Sequence, residues 1–231
     1  MNALINFLSQ FTTERRFELF KQVAANRTRY ITPVLEDIFQ PQNASAVLRT
    51  CDCLGIQDIH VIERRNRYRI NPDVELGSAQ WLEILKYNNP DGATESAIRD
   101  LRAKGYRIVA TTPHTNDVPL DNFDLEKGKV ALLFGTELKG LSKEALDLSD
   151  EFIRIPMTGF TESFNISVSA AIISYTLIEK LRKSNIPWKL NEEEQETLVL
   201  NWLRKSIRNS DLLEKRFIFD NQNKDPWQSN L

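Results

Sequence analysis

The sequence predicts an α/β domain in which a mostly parallel β-sheet is flanked by helices. Short runs rich in Val, Ile and Leu alternate with longer segments of helical periodicity, the pattern of parallel strands joined by crossover helices. The 231 residues, 41% hydrophobic and 27% charged, suffice for one domain with a buried core. We place the sheet domain at residues 30–185, a helical N-terminal extension at 1–29, and a helical C-terminal extension with a polar tail at 186–231.

The strands are predicted from short apolar runs bounded by turn residues. They lie at residues 31–38, 57–62, 106–112, 130–135 and 152–156. Pro33 indicates an early or edge position for the first strand, because proline cannot donate to a β-ladder. Residues 77–87 are ambiguous between strand and helix.

The helices are predicted from apolar periodicity and from capping residues. Thr12 or Thr13 caps a first helix that extends to about residue 26, and Gly55 ends a helix led by Asn43 or Ser45. Ser142 caps a short helix. Further helices are predicted at residues 91–104 and 164–183 and from residue 191 onward.

Polar and glycine residues follow three of the predicted strands. These are Thr111–Thr112, Gly135–Thr136 and Pro156–Met157. In open α/β sheets ligands bind at the carboxyl ends of the strands, so we expect a ligand site where these three loops meet.

Composition excludes several classes of protein. No run of 18 apolar residues predicts a membrane span, and the N-terminus lacks the basic start and cleavage site of a signal peptide. Cys51 and Cys53, two residues apart in a helix, point in different directions and are expected to be reduced thiols. With only His60 and His114 besides, we expect no metal site and a cytoplasmic protein.

The charge distribution points to nucleic acid more than the total charge does. The net charge of −2 and the pI near 5.8 oppose an RNA partner. Residues 1–30, however, carry five basic and two acidic side chains, and residues 60–70 carry four arginines. An ordinary solvated surface is the alternative interpretation of both basic patches.

Common nucleotide and nucleophile motifs are missing from the sequence. It contains no G-x-G-x-x-G, Walker or G-x-S-x-G pattern. The strand-end loops instead supply backbone donors, glycine, and a few hydroxyl and amide side chains, a set that suits the adenine and ribose of a nucleoside cofactor.

Three stretches carry a family resemblance. Residues 43–50 read N-A-S-A-V-L-R-T, residues 132–142 read L-L-F-G-T-E-L-K-G-L-S, and residues 154–175 begin R-I-P-M-T-G-F-T-E-S-F-N. In this order and spacing they resemble the signature motifs of the SpoU class of SPOUT RNA 2′-O-methyltransferases. The sequences of residues 34–55 and of N-W-L-R-K at 201–205 are most similar to those of the TrmH branch, which methylates the ribose of guanosine 18 in tRNA.

The resemblance implies a deep C-terminal trefoil knot, bound S-adenosylmethionine and a homodimer. It implies a catalytic group of Asn43, Arg49, Glu137, Ser163 and Asn165. It implies a cofactor site lined by Thr111, Thr112, Gly135, Ile155, Pro156, Met157 and Phe164. The candidate tRNA contacts are Arg15, Arg16, Arg27, Arg64, Arg65, Arg67, Arg69 and Arg182.

Two roles for Arg49 remain open. The resemblance implies that it activates the ribose 2′-hydroxyl, but an arginine side chain ordinarily keeps its proton far above neutral pH, so its neutralisation at pH 7 costs about 7 kcal/mol. Arg49 therefore acts either as a strongly perturbed base or as a cation that stabilises the developing alkoxide or a phosphate. A plain surface arginine, and simple helix capping by Ser163 and Asn165, are the structural alternatives.

We therefore expect an S-adenosylmethionine-dependent tRNA ribose 2′-O-methyltransferase that acts on guanosine 18. A ribosomal RNA methyltransferase, a non-catalytic knotted RNA-binding protein, and a nucleotide-binding α/β protein without an RNA partner are the alternatives. Only some 30 residues precede the first strand, which favours tRNA over ribosomal RNA, since relatives acting on the latter often carry a larger N-terminal domain.

Overall fold

The computed structural model describes residues 3–89, 91–113, 117–136 and 139–222. These residues form two compact units, an α/β unit within residues 28–189 and a helical unit that joins the described residues up to 27 with those from 190 to 222. The helical unit thus contains segments from both ends of the chain.

The α/β unit is built on a seven-stranded sheet in the order β3-β2-β1-β6-β4-β7-β5. Every strand pair in it is parallel. The strands are β1 (Ile31–Glu36), β2 (Asp58–Ile62), β3 (Glu83–Tyr87), β4 (Arg107–Thr111), β5 (Val118–Pro119), β6 (Val130–Phe134) and β7 (Glu151–Arg154). The predicted α/β class with a parallel sheet is confirmed.

Helices cover both faces of this sheet. They are α3 (Pro41–Leu54), α4 (Pro72–Glu75), α5 (Ala93–Ala103), α6 (Lys143–Asp147) and α7 (Ile166–Arg182), with short 3-10 turns at Ser78–Trp81 and Leu120–Asn122. Ile31 and Leu35 of β1 belong to the core beneath α3 and α7, whereas Val34 belongs to the core beneath α5 and α6. This alternation follows from the period of two in a β-strand.

The predicted edge position of Pro33 is wrong, because β1 lies between β2 and β6. Asp37 N donates to Ile62 O. In a parallel ladder every second residue of β1 donates to every second carbonyl of β2, so position 33, four residues earlier, faces Asp58 O. Pro33 has no N–H to donate to that carbonyl. The Thr32 hydroxyl donates to that carbonyl at 2.7 Å. A neighbouring side chain thus replaces the absent backbone donor, and the proline is tolerated in a central strand.

Several element boundaries differ from the sequence prediction. Helix α3 begins at Pro41, where proline suits the first helical turn because no intrahelical partner awaits its nitrogen. The ambiguous residues 77–87 divide into a 3-10 turn and β3. The two-residue strand β5 and the single-turn helix α4 are too short to leave a periodic signal.

The helical unit contains α1 (Ala3–Ser9), α2 (Glu14–Ala24), α8 (Glu192–Ser206) and α9 (Ser210–Gln222). Thr13 caps α2, as one of the two predicted candidates, and Asn191 forms a capping box with Glu194. Trp202 is buried in this unit, with its ring 5.9 Å from that of Phe20. Within the described residues, no helix is long and apolar enough to cross a membrane.

His60 makes the stability of the α/β unit dependent on pH. The side chain is buried in β2, its ring stacks on that of Tyr87, and its Nδ1 lies 3.1 Å from the Tyr87 hydroxyl. Burial, aided by the nearby Lys104, lowers the pKa of His60 to about 4.

We expect the free energy of unfolding to decrease by about 3 kcal/mol as the pH falls from about 6.5 to about 4. The reason is that His60 takes up its proton at a higher pH in the unfolded chain than in the folded protein. Urea unfolding at pH 7.5 and pH 5 should show about 2 kcal/mol of this loss, because the remainder occurs below pH 5. A His60→Gln variant should lose less stability over the same interval. An equal pH slope in both proteins contradicts the assignment.

Candidate active site

Three of the predicted cofactor loops follow strands that are neighbours in the sheet. Strand β4 lies between β6 and β7, so the loops after these strands start about 4.8 Å apart. The Thr111 hydroxyl donates to Leu133 O of β6 at 2.7 Å, and Thr112 N donates to Ile153 O of β7 at 3.0 Å. The structure therefore brings these predicted loops together at one edge.

The loop after β6 folds back tightly on itself at Gly135. Thr136 N donates to Gly140 O, and Gly140 N donates to Thr136 O, both at 2.9 Å. A Cβ atom on Gly135 would lie 2.1 Å from the carbonyl carbon of Gly140. Only glycine allows this approach of two backbone segments. Glu137, predicted as catalytic, lies outside the described residues.

The loop after β7 adds partly apolar lining. Ile155 is half-buried against the core, Met157 is half-buried, and Pro156 is exposed. Phe164 is also exposed, just before α7. Backbone groups beside half-buried apolar side chains fit a nucleoside cofactor, which needs hydrogen bonds along the edges of its base and apolar contact on its faces.

Asn43 and Asn165, 122 residues apart in sequence, meet in the structure. Asn165 Nδ2 donates to Asn43 Oδ1 at 3.2 Å, and Asn43 Nδ2 lies 3.3 Å from Gln40 Oε1. Asn165 also caps α7, because its Oδ1 accepts from the backbone N and the hydroxyl of Ser167. The capping alternative is therefore correct for Asn165, yet the same side chain joins two of the three motifs.

Arg49 lies on a different part of helix α3 from Asn43. Six residues of α-helix rotate the side-chain direction by about 240° and advance it by about 9 Å. Arg49 is exposed beside a shallow cavity of about 640 Å³ that is also lined by Ala171, Ile172 and Tyr175 of α7. Ser163 is exposed in the loop before α7. Sequence proximity therefore does not place Arg49 next to the paired asparagines.

Glu36, which sequence reasoning missed, fixes the loops at the carboxyl end of β1. The residue is 2% exposed, and its carboxylate accepts hydrogen bonds of 2.8 Å from the Thr94 hydroxyl and from both the hydroxyl and the backbone N of Ser142. Arg64 lies 3.6 Å from the same carboxylate. An acidic residue in an otherwise apolar strand was the available signal.

Asp37, the next residue, holds the segment that follows β2. Its Oδ1 accepts from the backbone N–H groups of Arg64, Arg65 and Asn66 at 2.8, 2.8 and 3.1 Å. Asp37 itself adopts a left-handed φ of 57°. Together, the two carboxylates hold three separate segments at the end of β1: the first turn of α5, the start of α6 and the segment after β2.

The predicted RNA contacts differ in how far they are buried and in the partners that they already have within the chain. Arg27 is 1% exposed with its guanidinium 5.5 Å from the centre of the Trp202 ring, so its assignment as a surface contact is wrong. Arg64 pairs with Glu36 and Glu144, and Arg182 pairs with Glu179 and donates to Leu54 O, which gives both a structural role. Besides Arg64 and Arg182, which are also exposed, the exposed predicted contacts are Arg15, Arg16, Arg65, Arg67 and Arg69.

Among the described residues, no group of three or more His, Cys, Asp and Glu side chains is arranged to hold a metal ion. Cys51 is buried and Cys53 exposed, both as free thiols.

The fold and the site together define an α/β protein whose loops at the ends of adjacent parallel strands suit a nucleoside-type cofactor. The chain belongs to the SpoU rRNA methylase family, whose pattern matches residues 31–175.

Relatives resemble the chain over most of its length. It is 46% identical over 210 residues to the tRNA (guanosine(18)-2′-O)-methyltransferase of Borreliella burgdorferi. This alignment covers 91% of this chain and 94% of that protein. The crystal structure of the Aquifex aeolicus TrmH/SpoU tRNA modifying enzyme matches with a TM-score of 0.75 and 27% identity, over 85% of this chain and 98% of that one.

An AdoMet-bound rRNA methyltransferase from Sinorhizobium meliloti matches with a TM-score of 0.57 and 25% identity. That match covers 70% of this chain and 60% of the other. A protein with a similar structure has therefore been crystallised with the predicted cofactor.

We expect Gly135→Ala to destabilise the protein by about 2 kcal/mol and to weaken S-adenosylmethionine binding, because the new methyl group collides with backbone atoms. Urea unfolding and calorimetric titration with the cofactor measure the two effects.

Gly159→Ala is the matched control for this variant. A Cβ atom there meets nothing within 4 Å, so stability should change by less than about 0.5 kcal/mol. If the two variants are equally stable, the close approach at Gly135 is not a constraint.

Proposed function

We propose that this protein transfers the methyl group of S-adenosylmethionine to the ribose 2′-hydroxyl of guanosine 18 in tRNA. The observation that carries the proposal is the 46% identity, over 91% of the chain, to a relative named for that reaction. The neighbouring strand-end loops and the Asn43–Asn165 pair supply a matching site.

Ribosomal RNA is the second candidate substrate. The family description and the Sinorhizobium meliloti structure name it, but that structure extends well beyond the matched region. The Borreliella burgdorferi protein matches along nearly all of both chains, which favours tRNA. We place the reaction in the cytoplasm with its tRNA substrate.

The bound cofactor supplies an electrophilic methyl group. The residues of this chain must then position the ribose hydroxyl and manage its proton. Asn165 has its oxygen committed to the α7 cap and its amide nitrogen to Asn43, so we propose that this pair sets the start of α7 rather than taking the proton.

Ser163 lies in the loop that leads into this start of α7, and we propose that its exposed hydroxyl contacts the substrate or the cofactor. For Arg49 we propose the role of a cation that stabilises negative charge on the reacting oxygen or a nearby phosphate. Its guanidinium is exposed, and stabilising an anion requires no loss of its proton.

We further propose a homodimer formed through the surface of α3 and α7. Tyr175 is 59% and Val168 is 42% exposed on α7, an unusual state for large apolar side chains. The small residues Ala170 and Ser174, by contrast, are buried inside the chain, so they serve its internal packing.

Such a dimer would complete the active site. In a two-fold pairing each contact is made twice. An antiparallel arrangement of the two α7 helices therefore places the turn that contains Tyr175 against the partner's turn that contains its Val168. Arg49 lies beside Tyr175, and Asn165 lies one turn before Val168. Arg49 of one protomer would thus serve the α7 start of its partner.

The remaining exposed arginines complete the proposal for RNA. Arg65, Arg67 and Arg69 in the α/β unit, with Arg15 and Arg16 in the helical unit, are proposed to contact tRNA phosphates. The trefoil knot that the family implies stays a prediction.

We expect the protein to methylate guanosine 18 in unmodified tRNA in the presence of labelled cofactor, as mapped by digestion and mass spectrometry. A tRNA with 2′-deoxyguanosine at position 18 is the matched control and should accept no label. Label that appears only in ribosomal RNA would reject the tRNA assignment.

Arg49→Ala and Asn165→Ala should each lose at least about 100-fold in turnover as homodimers. A heterodimer with one subunit of each kind should regain about half of the wild-type rate, because one of its two sites receives Arg49 and Asn165 intact. Co-expression with two affinity tags and single-turnover assays measure this. A heterodimer as inactive as the two homodimers would place both residues of a site in the same chain.

A further inference from the structure

A cavity of about 1220 Å³ lies beside the candidate active site, at the carboxyl end of β1. Its walls come from the segments after β1 and β2, the loop after β6, and α6. None of the residues predicted to bind the cofactor lines it. We call it the Phe39 cavity, lined in part by Glu36, Phe39, Gln40, Arg65, Ser142 and Lys143.

Two walls of the Phe39 cavity are fixed in position. Glu36 binds Ser142 at the start of α6, and Asp37 binds three consecutive backbone N–H groups from Arg64 onward. Hydrogen bonds to buried charged groups are among the stronger ones in proteins. These two walls of the cavity are therefore preformed.

Phe39 gives the cavity an aromatic surface that faces solvent. The residue is 70% exposed, although phenylalanine is normally among the more buried residues. Unpaired RNA bases stack on such exposed rings, and the stacking tolerates any base because every base has a π-face.

The charges favour a neutral base inside and phosphates at the rim. The lining contains four basic and five acidic residues, so a phosphate deep within it would meet a net negative charge. Glu95 and Asp147 are exposed and can accept hydrogen bonds from the amino groups of a base. Arg65 and Lys143 are exposed and can bind the flanking phosphates.

The cavity connects to the active site through Gln40. This residue lines the cavity, and its Oε1 lies 3.3 Å from Asn43 Nδ2, which leads on to Asn165. An occupant of the cavity would therefore lie within a few residues of the reacting ribose.

We propose that the Phe39 cavity receives one unpaired base of the RNA substrate, next to the methylated nucleotide, with the base stacked on Phe39. This assignment rests on the proposed function, because it presumes an RNA substrate. It goes further in naming a base-binding site whose lining includes none of the residues predicted to bind the cofactor.

The test compares Phe39→Ala, Phe39→Trp and the control Phe219→Ala, which removes an exposed phenylalanine of the helical unit. Phe39→Ala should bind unmodified tRNA about tenfold more weakly by fluorescence anisotropy, a loss of about 1.4 kcal/mol. Cofactor affinity by calorimetry should be unchanged. Phe39→Trp and Phe219→Ala should bind tRNA as the wild type does.

A coupling measurement identifies the base. Wild type and Phe39→Ala are titrated with tRNAs that each carry one abasic site in an unpaired loop. At one position, removal of the base should abolish the difference between the two proteins, as in a double-mutant cycle. Strictly additive losses at every position would overturn the proposal.

The proposed function fails by a different result. If wild-type protein binds tRNA without methylating it, the proposed methyl transfer is rejected. The coupling between Phe39 and one tRNA base can still be measured in that case, so the cavity proposal is tested independently. If wild type methylates tRNA and Phe39→Ala binds equally well, only the cavity assignment falls. If wild type binds no RNA, both are rejected.

Discussion

The site depends on the parallel pairing of buried strands at the centre of the sheet. Because β1, β6, β4 and β7 are adjacent and all run the same way, the segments that leave them emerge at one edge. The neighbouring loops after β4, β6 and β7 need no long side chains to meet, since strand spacing alone brings them together. Gly135 then lets one of these loops close on itself at backbone distance.

Buried polar groups supply the second constraint. Thr32 satisfies the carbonyl that Pro33 leaves without its ladder donor, and Glu36 and Asp37 turn the end of the same strand into an anchor for three segments. Each group is buried or held by several hydrogen bonds, so removal of either carboxylate would leave donors without acceptors. The strand thus determines the shape of loops that lie far from it in sequence.

The arrangement separates the catalytic candidates between two surfaces. Asn43 and Asn165 meet at the start of α7, whereas Arg49 lies on the exposed surface of α3 and α7. The proposed dimer accounts for both this separation and the exposed apolar side chains on that surface. The Phe39 cavity lies on the other side of Gln40, which would give the RNA a binding site of its own beside the reaction centre.

The α/β class, most strands and helices, the capping of α6 by Ser142 and the family follow from the sequence alone, because periodicity, capping residues and motifs are local signals. For α2 the sequence offered Thr12 or Thr13 as the cap, and the structure shows Thr13. Only the tertiary structure decided that Pro33 lies in a central strand, that Arg27 is buried under Trp202, and that Arg49 does not join Asn43. Glu36 and the Phe39 cavity also depend on partners between 58 and 106 residues away in sequence. Such long-range contacts leave no periodic trace in the chain, since they are set by which strands pair and not by the spacing of residues along any one element.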